Sequence, residues 1–509
     1  MRQSLLFLLL LVLASNAPAQ TFMRAYGIPG TTFDPPQSFL SSFGATTTAD
    51  GYIFTEVQGL ACFTDADGAV QDCKQMQAAS PVGLLQLRQI ERALGGSGYF
   101  CFANKTDTAI VLRTDDDLNI LWQRATVFDG MQLNEQVLPL ANDECVLGHS
   151  RSQGLNYRPV LSRFDAAGGV GWQRTYRSGA SFAGNLTFDG LAATADDGLL
   201  AAGRYNPGAP QRPVVVRLDP DGIVLWAKEI APTNGGNAFA QAVVELPNGQ
   251  IRVAVADAAP DARLAIITLN ASGDLVSAWG YQGLSGTPFG LRFLPDGTLT
   301  GTVVNTGTAY RIASDGSVVF AQAYSGLAGT SMLGRKLLPT ADGGQIFHGN
   351  STIGFFTDMT PVLYKTGPLG VLPAPYGTPA TLTPIAYVPT VSSGNVVDSL
   401  VSSVHSPDLS FVPATALNDT LLGVPNTIGE VTAKAPLQVW PNPARDLLTI
   451  DGPVRSGEIT ILDGAGRIVR TTGRTALPHA MDIGRMAPGE YSIVVRDAES
   501  TYGARFVKK

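Results

Sequence analysis

Val214–Lys228, VVVRLDPDGIVLWAK, decides the fold. Its first half alternates apolar and polar residues, its centre is the turn Asp219-Pro220-Asp221-Gly222, and its second half ends on an aromatic followed by a charge. That is the pattern of a half-buried β-hairpin. Degraded copies occupy 59–76, 109–125, 159–176, 265–281 and 309–324. A turn that opens a short apolar strand precedes each hairpin: Asp50-Gly51, Ser97-Gly98, Asp143-Glu144, Asp197-Gly198, Asn248-Gly249, Asp296-Gly297 and Asp342-Gly343. The steps between these anchors run from 46 to 54 residues, which suits a four-stranded propeller blade.

The seventh copy, PVLYKTGPLG (361–370), carries the first half of the hairpin and then meets proline. Its missing half lies at the other end of the chain. TFMRAYG (21–27) matches WQRTY (172–176) and FAQAY (320–324), so the N-terminal strand is expected to complete the last blade. Such a closure joins the ring by main-chain hydrogen bonds and removes a sheet edge. The expected fold is therefore all-β: a seven-bladed β-propeller over 20–370, closed by the N-terminal strand. A solenoid would not need its two ends to complement each other.

The 509-residue composition agrees, with only 15% charged residues and with 56 Gly and 33 Pro for many tight turns. A net charge of −7 without any basic run excludes nucleic acid and anionic membrane surfaces as expected partners. Arg2, the apolar run Leu5–Leu13 and Ala17-Pro18-Ala19 read as a signal peptide over 1–19, so the mature chain is expected to start at Gln20. No later run is long enough for a transmembrane segment.

Export makes the four cysteines disulfide candidates. A hairpin turning at Asp67-Gly68 sets Cys62 opposite Cys73, within reach of a cross-strand bond. Cys101 and Cys145 differ by one residue in their offset from the local turn, which points them to opposite faces. Free thiols and a bridge both stay open for that pair.

Residues that carry chemistry are sparse. The run Asp219 to Trp226, echoed at Asp165 to Trp172, resembles the tryptophan-containing repeats of pyrroloquinoline-quinone dehydrogenases and of outer-membrane assembly propellers. The adjacent cysteine pair of those quinone enzymes is missing, and a repeated aromatic serves more simply to pack one blade on the next. No cofactor is expected. The acidic turns at Asp65, Asp115 and Asp219 lack the distal glutamate of a calcium loop and suit hairpin turns. His149, His348, His405 and His479 have no zinc spacing. With no nucleophile elbow, phosphate loop or metalloprotease helix, no catalytic, cofactor-binding or metal-binding residue is nominated. A propeller enzyme would assemble its carboxylates from different blades.

Residues 371–436 turn to Pro, Ser, Thr and Val and are expected to form a linker or β arm between the propeller and a C-terminal module. That module, Leu437 to Lys509, alternates strands and Gly-rich turns, the pattern of a small immunoglobulin-like β-sandwich. It carries Pro441-Asn442-Pro443 with Asp446, then Asp463-Gly464-Ala465-Gly466-Arg467, then Pro488-Gly489-Glu490-Tyr491, and it ends on Lys508-Lys509. On these motifs the module resembles the type A C-terminal sorting domain of the type IX secretion system of Bacteroidetes. The propeller is similar to the delta-60-type propellers that accompany such modules. The resemblance implies that Pro441, Asn442, Pro443, Asp446, Gly466, Arg467, Pro488, Gly489, Tyr491 and Lys508 form the sorting motif. It further implies that the secretion translocon and its sortase are partners, and that the protein is secreted or anchored on the outer cell surface. For the propeller itself, the expected function is a binding or interaction module for a glycan or protein ligand. The alternative is an extracellular polysaccharide lyase or hydrolase with its site at the channel mouth.

Overall fold

The structure is a computed structural model that describes all of the chain except residues 1–20, 28–41, 57–58, 79–84, 106–107, 128–132, 154–155, 180–183, 207–209, 232–235, 258–262, 285, 304–305, 326–330, 354–357, 373–375, 415–417, 422–436, 453–454, 464–467 and 497–500. The expected signal peptide, Gly466 and Arg467 lie outside the described residues. The chain divides into two compact units, 1–423 and 424–509. No helix among the described residues is long and apolar enough to cross a membrane.

Unit one is a seven-bladed propeller. In blade 4 the strands Asn185–Ala193, Leu199–Asn206, Arg212–Leu218 and Val224–Ala231 pair in sequence order. Blades 1, 2, 3, 5 and 6 repeat this meander over 42–78, 85–127, 133–178, 238–282 and 288–324. Blade 7 takes three strands from 331–366 and its fourth, Phe22–Gly27, from the N-terminus, with Phe22 opposite Lys365 and Ala25 opposite Val362. First strands of neighbouring blades touch all the way round, blade 7 against blade 1 included. These strands line the centre of the ring.

In most blades the turn between the third and fourth strands meets an aromatic residue of the preceding blade. Trp172 of blade 3 covers Gly222 in blade 4, and its Nε1 donates to the Pro220 carbonyl at 2.8 Å. Tyr176, further along the same strand, donates to the Gly222 carbonyl at 2.8 Å. Trp122 sits on Gly168 and Phe320 on Gly370, and Phe22 sits on Gly68 while Tyr26 donates to the Gly68 carbonyl. These four turn glycines have positive φ, from 67° to 75°, which glycine adopts without strain. Between blades 1 and 2 the pairing is exchanged: blade 1 has Asp72 where others carry an aromatic, and the turn of blade 2 places Leu118, buried and at φ 60°, where others have glycine. The leucine side chain fills the space that the missing aromatic leaves.

The acidic turns hold themselves. Oδ1 of Asp219 accepts from the backbone N–H of Asp221 and Ile223, and Asp65, Asp115 and Asp165 accept in the same way two and four residues on. Asx acceptance of this kind is why Asp begins the turn. No cluster of candidate metal ligands occurs among the described residues.

Within the stretch 371–436, expected to be a linker or β arm, the described residues from 377 to 421 form short strands against the propeller. The chain runs back round the rim and adds a fifth, antiparallel strand to every blade in reverse order. Gly377–Pro379 joins blade 6, Thr383–Ile385 blade 5, Thr390–Ser393 blade 4 and Val396–Leu400 blade 3. Val404–His405 then joins blade 2, Leu409–Pro413 blade 1 and Asn418–Leu421 the N-terminal strand in blade 7. Buried Leu382, Tyr387, Val396 and Leu409 each enter a different inter-blade cluster. Gln123 and Gln173 hold the belt where it crosses: Gln123 Oε1 accepts from Leu409 N at 3.1 Å, and Gln173 Oε1 from Ser403 N at 3.0 Å. Proline is tolerated because these are edge strands.

Cys62 and Cys73 are directly paired across blade 1 and their sulfurs are bonded. Cys101 and Cys145 are free and buried. Contrary to the expectation from their turn offsets, both face the preceding blade, Cys101 in the cluster between blades 1 and 2 and Cys145 in that between blades 2 and 3. The turn Ala93–Gly98 is one residue longer than Leu140–Glu144 and absorbs the difference in offset. The two thiols are thus kept apart by a blade.

Unit two is a sandwich of a three-stranded sheet (Gln438–Trp440, Leu447–Asp451, His479–Asp482) and a four-stranded sheet (Ile468–Ala476, Ser456–Asp463, Gly489–Arg496, Thr501–Lys508). Alternate residues from both sheets, among them Leu448, Ile450, Ile459, Ile461, Ile493, Val495 and Phe506, fill one core.

Candidate functional site

In unit two the described residues of the motif expected from the sequence lie at one end of the sandwich. The segment 441–446 links two strands there, Gly489 pairs with Lys508, and Asp463 pairs with Tyr491. Asn442 binds this end to the last strand: its Oδ1 accepts from Val507 N at 3.0 Å and its Nδ2 donates to the Arg505 carbonyl at 3.2 Å. Two residues on, Ala444 N donates to the Val507 carbonyl, and Lys509 N to that of Ala444. The Asp446 carbonyl accepts from Ile483 N at 2.8 Å. Tyr491 stacks on Phe506 and donates its hydroxyl to the Ala487 carbonyl at 2.8 Å, which fixes the approach to Pro488-Gly489. Pro441, Asn442, Pro443, Asp446, Pro488 and Gly489 are exposed on this end, above the hydrogen-bonded C-terminal strand.

In unit one the centre of the ring carries the polar chemistry. Every first strand has a register irregularity about midway: between Ser42 and Ala45, Leu87 and Gln89, Leu133 and Gln136, Phe188 and Gly190, Ala240 and Ala242, Phe289 and Arg292, and Gly334 and Lys336. A bulge re-aims a side chain out of the strand's alternation. The residues so placed include Arg88, Asp189, Gln241 and Arg335, all partly exposed among buried neighbours, with Phe289 beside them at 38% exposure. Arg335 lies over the Phe289 ring at 6.0 Å. Burial and the neighbouring Arg88 lower the Arg335 guanidinium to about 10. Blade 1 separates the blades that carry these two arginines.

Nearer the tight turns, an ion cluster crosses the ring. Glu91 of blade 2 meets Lys336 of blade 7 at 2.6 Å and Arg292 of blade 6 at 3.3 Å, and Lys336 also donates to the Ala45 carbonyl of blade 1 at 3.0 Å. Burial pushes the Glu91 carboxyl up, but Lys336 and Arg292 outweigh it and hold it at about 2. Burial together with Lys336 and Arg335 keeps His348 neutral, at about 3. The carboxylate is a structural tie between blades 2, 6 and 7. On the wall of blade 4, burial raises Asp189 to about 6 against the opposing pull of Arg204 and Thr187. Its Oδ1 is buried without a hydrogen-bond partner.

The sequence alone directs attention to the loops on one face of the ring or to the central channel, and nominates none of these residues. The available signal is a long polar side chain interrupting an apolar first strand, as in LRQIE (87–91), FDGLA (188–192) and GRKLL (334–338).

The architecture defines a propeller with an appended sandwich whose C-terminal end presents an exposed motif. Residues 438–509 match the family described as the secretion system C-terminal sorting domain. This module is a type IX sorting domain, and the protein is delivered to the outer cell surface or secreted. No curated protein matches the chain. Among solved structures, U3-55K is similar at 10% identity over 68% of this chain and 99% of that one, with a TM-score of 0.44. YCF48 from Cyanidioschyzon merolae shares 12% identity over 69% of this chain and 100% of its own, with a TM-score of 0.41. A protein of unknown function from Bacteroides caccae shares 15% identity over 49% and 82% of the two chains, with a TM-score of 0.33. At these values the fold assignment rests on the strand topology, and none of the three bears on activity.

Proposed function

We propose that the propeller is a binding module for an extracellular glycan or protein, displayed by way of a sorting domain that engages the secretion translocon and its sortase. The observation that supports this most is the set of bulges in the innermost strands that carry Arg88, Asp189, Gln241 and Arg335, with Arg335 over the exposed Phe289 ring. Varied polar groups around one exposed aromatic suit recognition. An enzyme of the lyase or hydrolase kind needs a pair of groups within reach of one bond. Among the described residues, Glu91 is occupied by Lys336 and Arg292, and Asp189 has Arg204 and Thr187 as its neighbours.

A glycan array and a polysaccharide-degradation screen on the mature protein test the reading. Retention of a ligand that is lost in Phe289→Ala, without bond cleavage, is the expected result. Turnover of a polymer would overturn it. For export, deletion of 437–509 is expected to strand the protein in the periplasm, and surface delivery of that truncation would refute the role given to the motif.

A further inference from the structure

Gln123 and Gln173 stand at equivalent places, in Trp122-Gln123-Arg124 and Trp172-Gln173-Arg174, and each clasps the belt where it crosses between blades. What they clasp differs. Gln123 holds Leu409 by both main-chain groups: Oε1 accepts from its N–H at 3.1 Å and Nε2 donates to its carbonyl at 3.3 Å. The leucine side chain is buried in the cluster between blades 1 and 2. Gln173 holds Ser403, whose N–H and hydroxyl both donate to Oε1, at 3.0 and 3.1 Å. The serine side chain thus turns back on the glutamine and brings no apolar group to the cluster between blades 2 and 3. The belt's contribution to that cluster is Val401 and Val404, neither fully buried. Beside them is a cavity of about 510 Å³, lined by Val170, Trp172 and Gln173 of blade 3 and by Leu400, Val401 and Val404 of the belt, with the exposed Ser402 completing the wall.

The polar groups of this lining are largely engaged. Gln173 Nε2 donates to Ser162 Oγ at 2.8 Å and Trp172 Nε1 to the Pro220 carbonyl at 2.8 Å. A ligand gains affinity here by leaving water rather than by pairing. Leu400 and Val170, 69% and 45% exposed, are apolar surface that it would cover. We propose that the cavity is a binding site for a small apolar molecule with a branched aliphatic chain or a single aromatic ring. Its apolar end takes, beside Ser403, the part that the Leu409 side chain plays between blades 1 and 2. The volume lies in the range of small-molecule sites. The site is on the outer rim, apart from the polar centre of the ring, so it stands or falls separately from the glycan or protein binding proposed above.

The test is saturation-transfer NMR on the full mature protein with isobutylbenzene and 4-methyl-1-pentanol as probes and glycerol as the polar control. Transfer to one or both apolar probes and none to glycerol is expected. Ser403→Leu, which supplies the side chain that Leu409 has, and Leu400→Gln, at an exposed position, should each weaken binding about tenfold or more. Leu369→Gln, equally exposed in character at 59% but outside the lining, should leave it unchanged. Urea midpoints establish which variants fold. Binding of neither apolar probe, equal transfer to glycerol, unchanged affinity in a folded Ser403→Leu or Leu400→Gln variant, or the same loss in Leu369→Gln overturns the site.

Discussion

Gly222→Ala isolates the contact that joins one blade to the next. A Cβ at position 222 would lie 2.8 Å from ring carbons of Trp172, and the backbone there has φ +74°. Gly249, in a first-to-second-strand turn, has φ +76° but nothing within 4 Å of the same added atom. Both alanine variants bear the left-handed backbone penalty, about 1 kcal/mol. Only the first must also displace a buried ring, an overpacking effect of about 1–3 kcal/mol, and loosen the indole bond to Pro220, worth about 1 kcal/mol. Gly222→Ala is therefore expected to exceed Gly249→Ala by about 2–4 kcal/mol, combining those two terms. Urea unfolding monitored by tryptophan emission reads the difference as a shift in midpoint at common slope. Equal midpoints for the two variants would show that the ring does not bear on the turn, and the account of blade joining would fail.

Deletion of 377–421 should expose seven sheet edges and give soluble oligomers or aggregate, with monomer restored by a synthetic peptide of that sequence; a truncation that stays monomeric with an unchanged urea midpoint contradicts the belt. Replacing Cys62 and Cys73 by alanine opens a loop with sequence separation 11 and should remove about 3 kcal/mol, read from the urea midpoint with and without reductant. Burial pushes the Cys101 thiol up to about 12 and Cys145 well above its ordinary range, so a thiol reagent should find neither in the native protein and both after unfolding. Asp189 is raised by burial from 3.8 to about 6, so the stability it contributes is present below pH 3.8 and lost as pH rises through about 6. Asp189→Asn should thus be more stable than the parent at pH 8, by up to about 3 kcal/mol, and the gap should vanish below pH 4; a gap that does not change with pH refutes the burial argument.

The blades are legible in the sequence because each carries its own local signal. Asp219 announces a turn by its acceptor geometry, Gly222 by its φ, and Trp172 and Phe22 by recurring at matching places in successive fourth strands. Even the closure can be read, since Phe22 and Tyr26 repeat the spacing of Trp172 and Tyr176. The belt has no such signal. Its strands are two to five residues long, too short for alternation to develop, and each is stabilised by an edge that lies elsewhere in the sequence. Proline and serine there suit a solvated linker and an edge strand equally, and only the presence of seven open edges distinguishes them. The polar centre of the ring is hidden for a related reason. Glu91 and Lys336 lie 245 residues apart in sequence, and their meeting depends on ring closure, which a single strand's pattern does not reveal. Glu91 shows the consequence: taken alone it is a buried carboxylate of the kind an active site needs, and only the cations delivered by blades 6 and 7 make it a tie across the ring. In the sandwich the opposite holds, because the motifs at 441–446 and 488–491 lie next to the strands they join. There the sequence order of the motifs already contains their meeting at one end, and the structure adds the hydrogen bonds by which Asn442 and Ala444 hold the C-terminal strand beneath them.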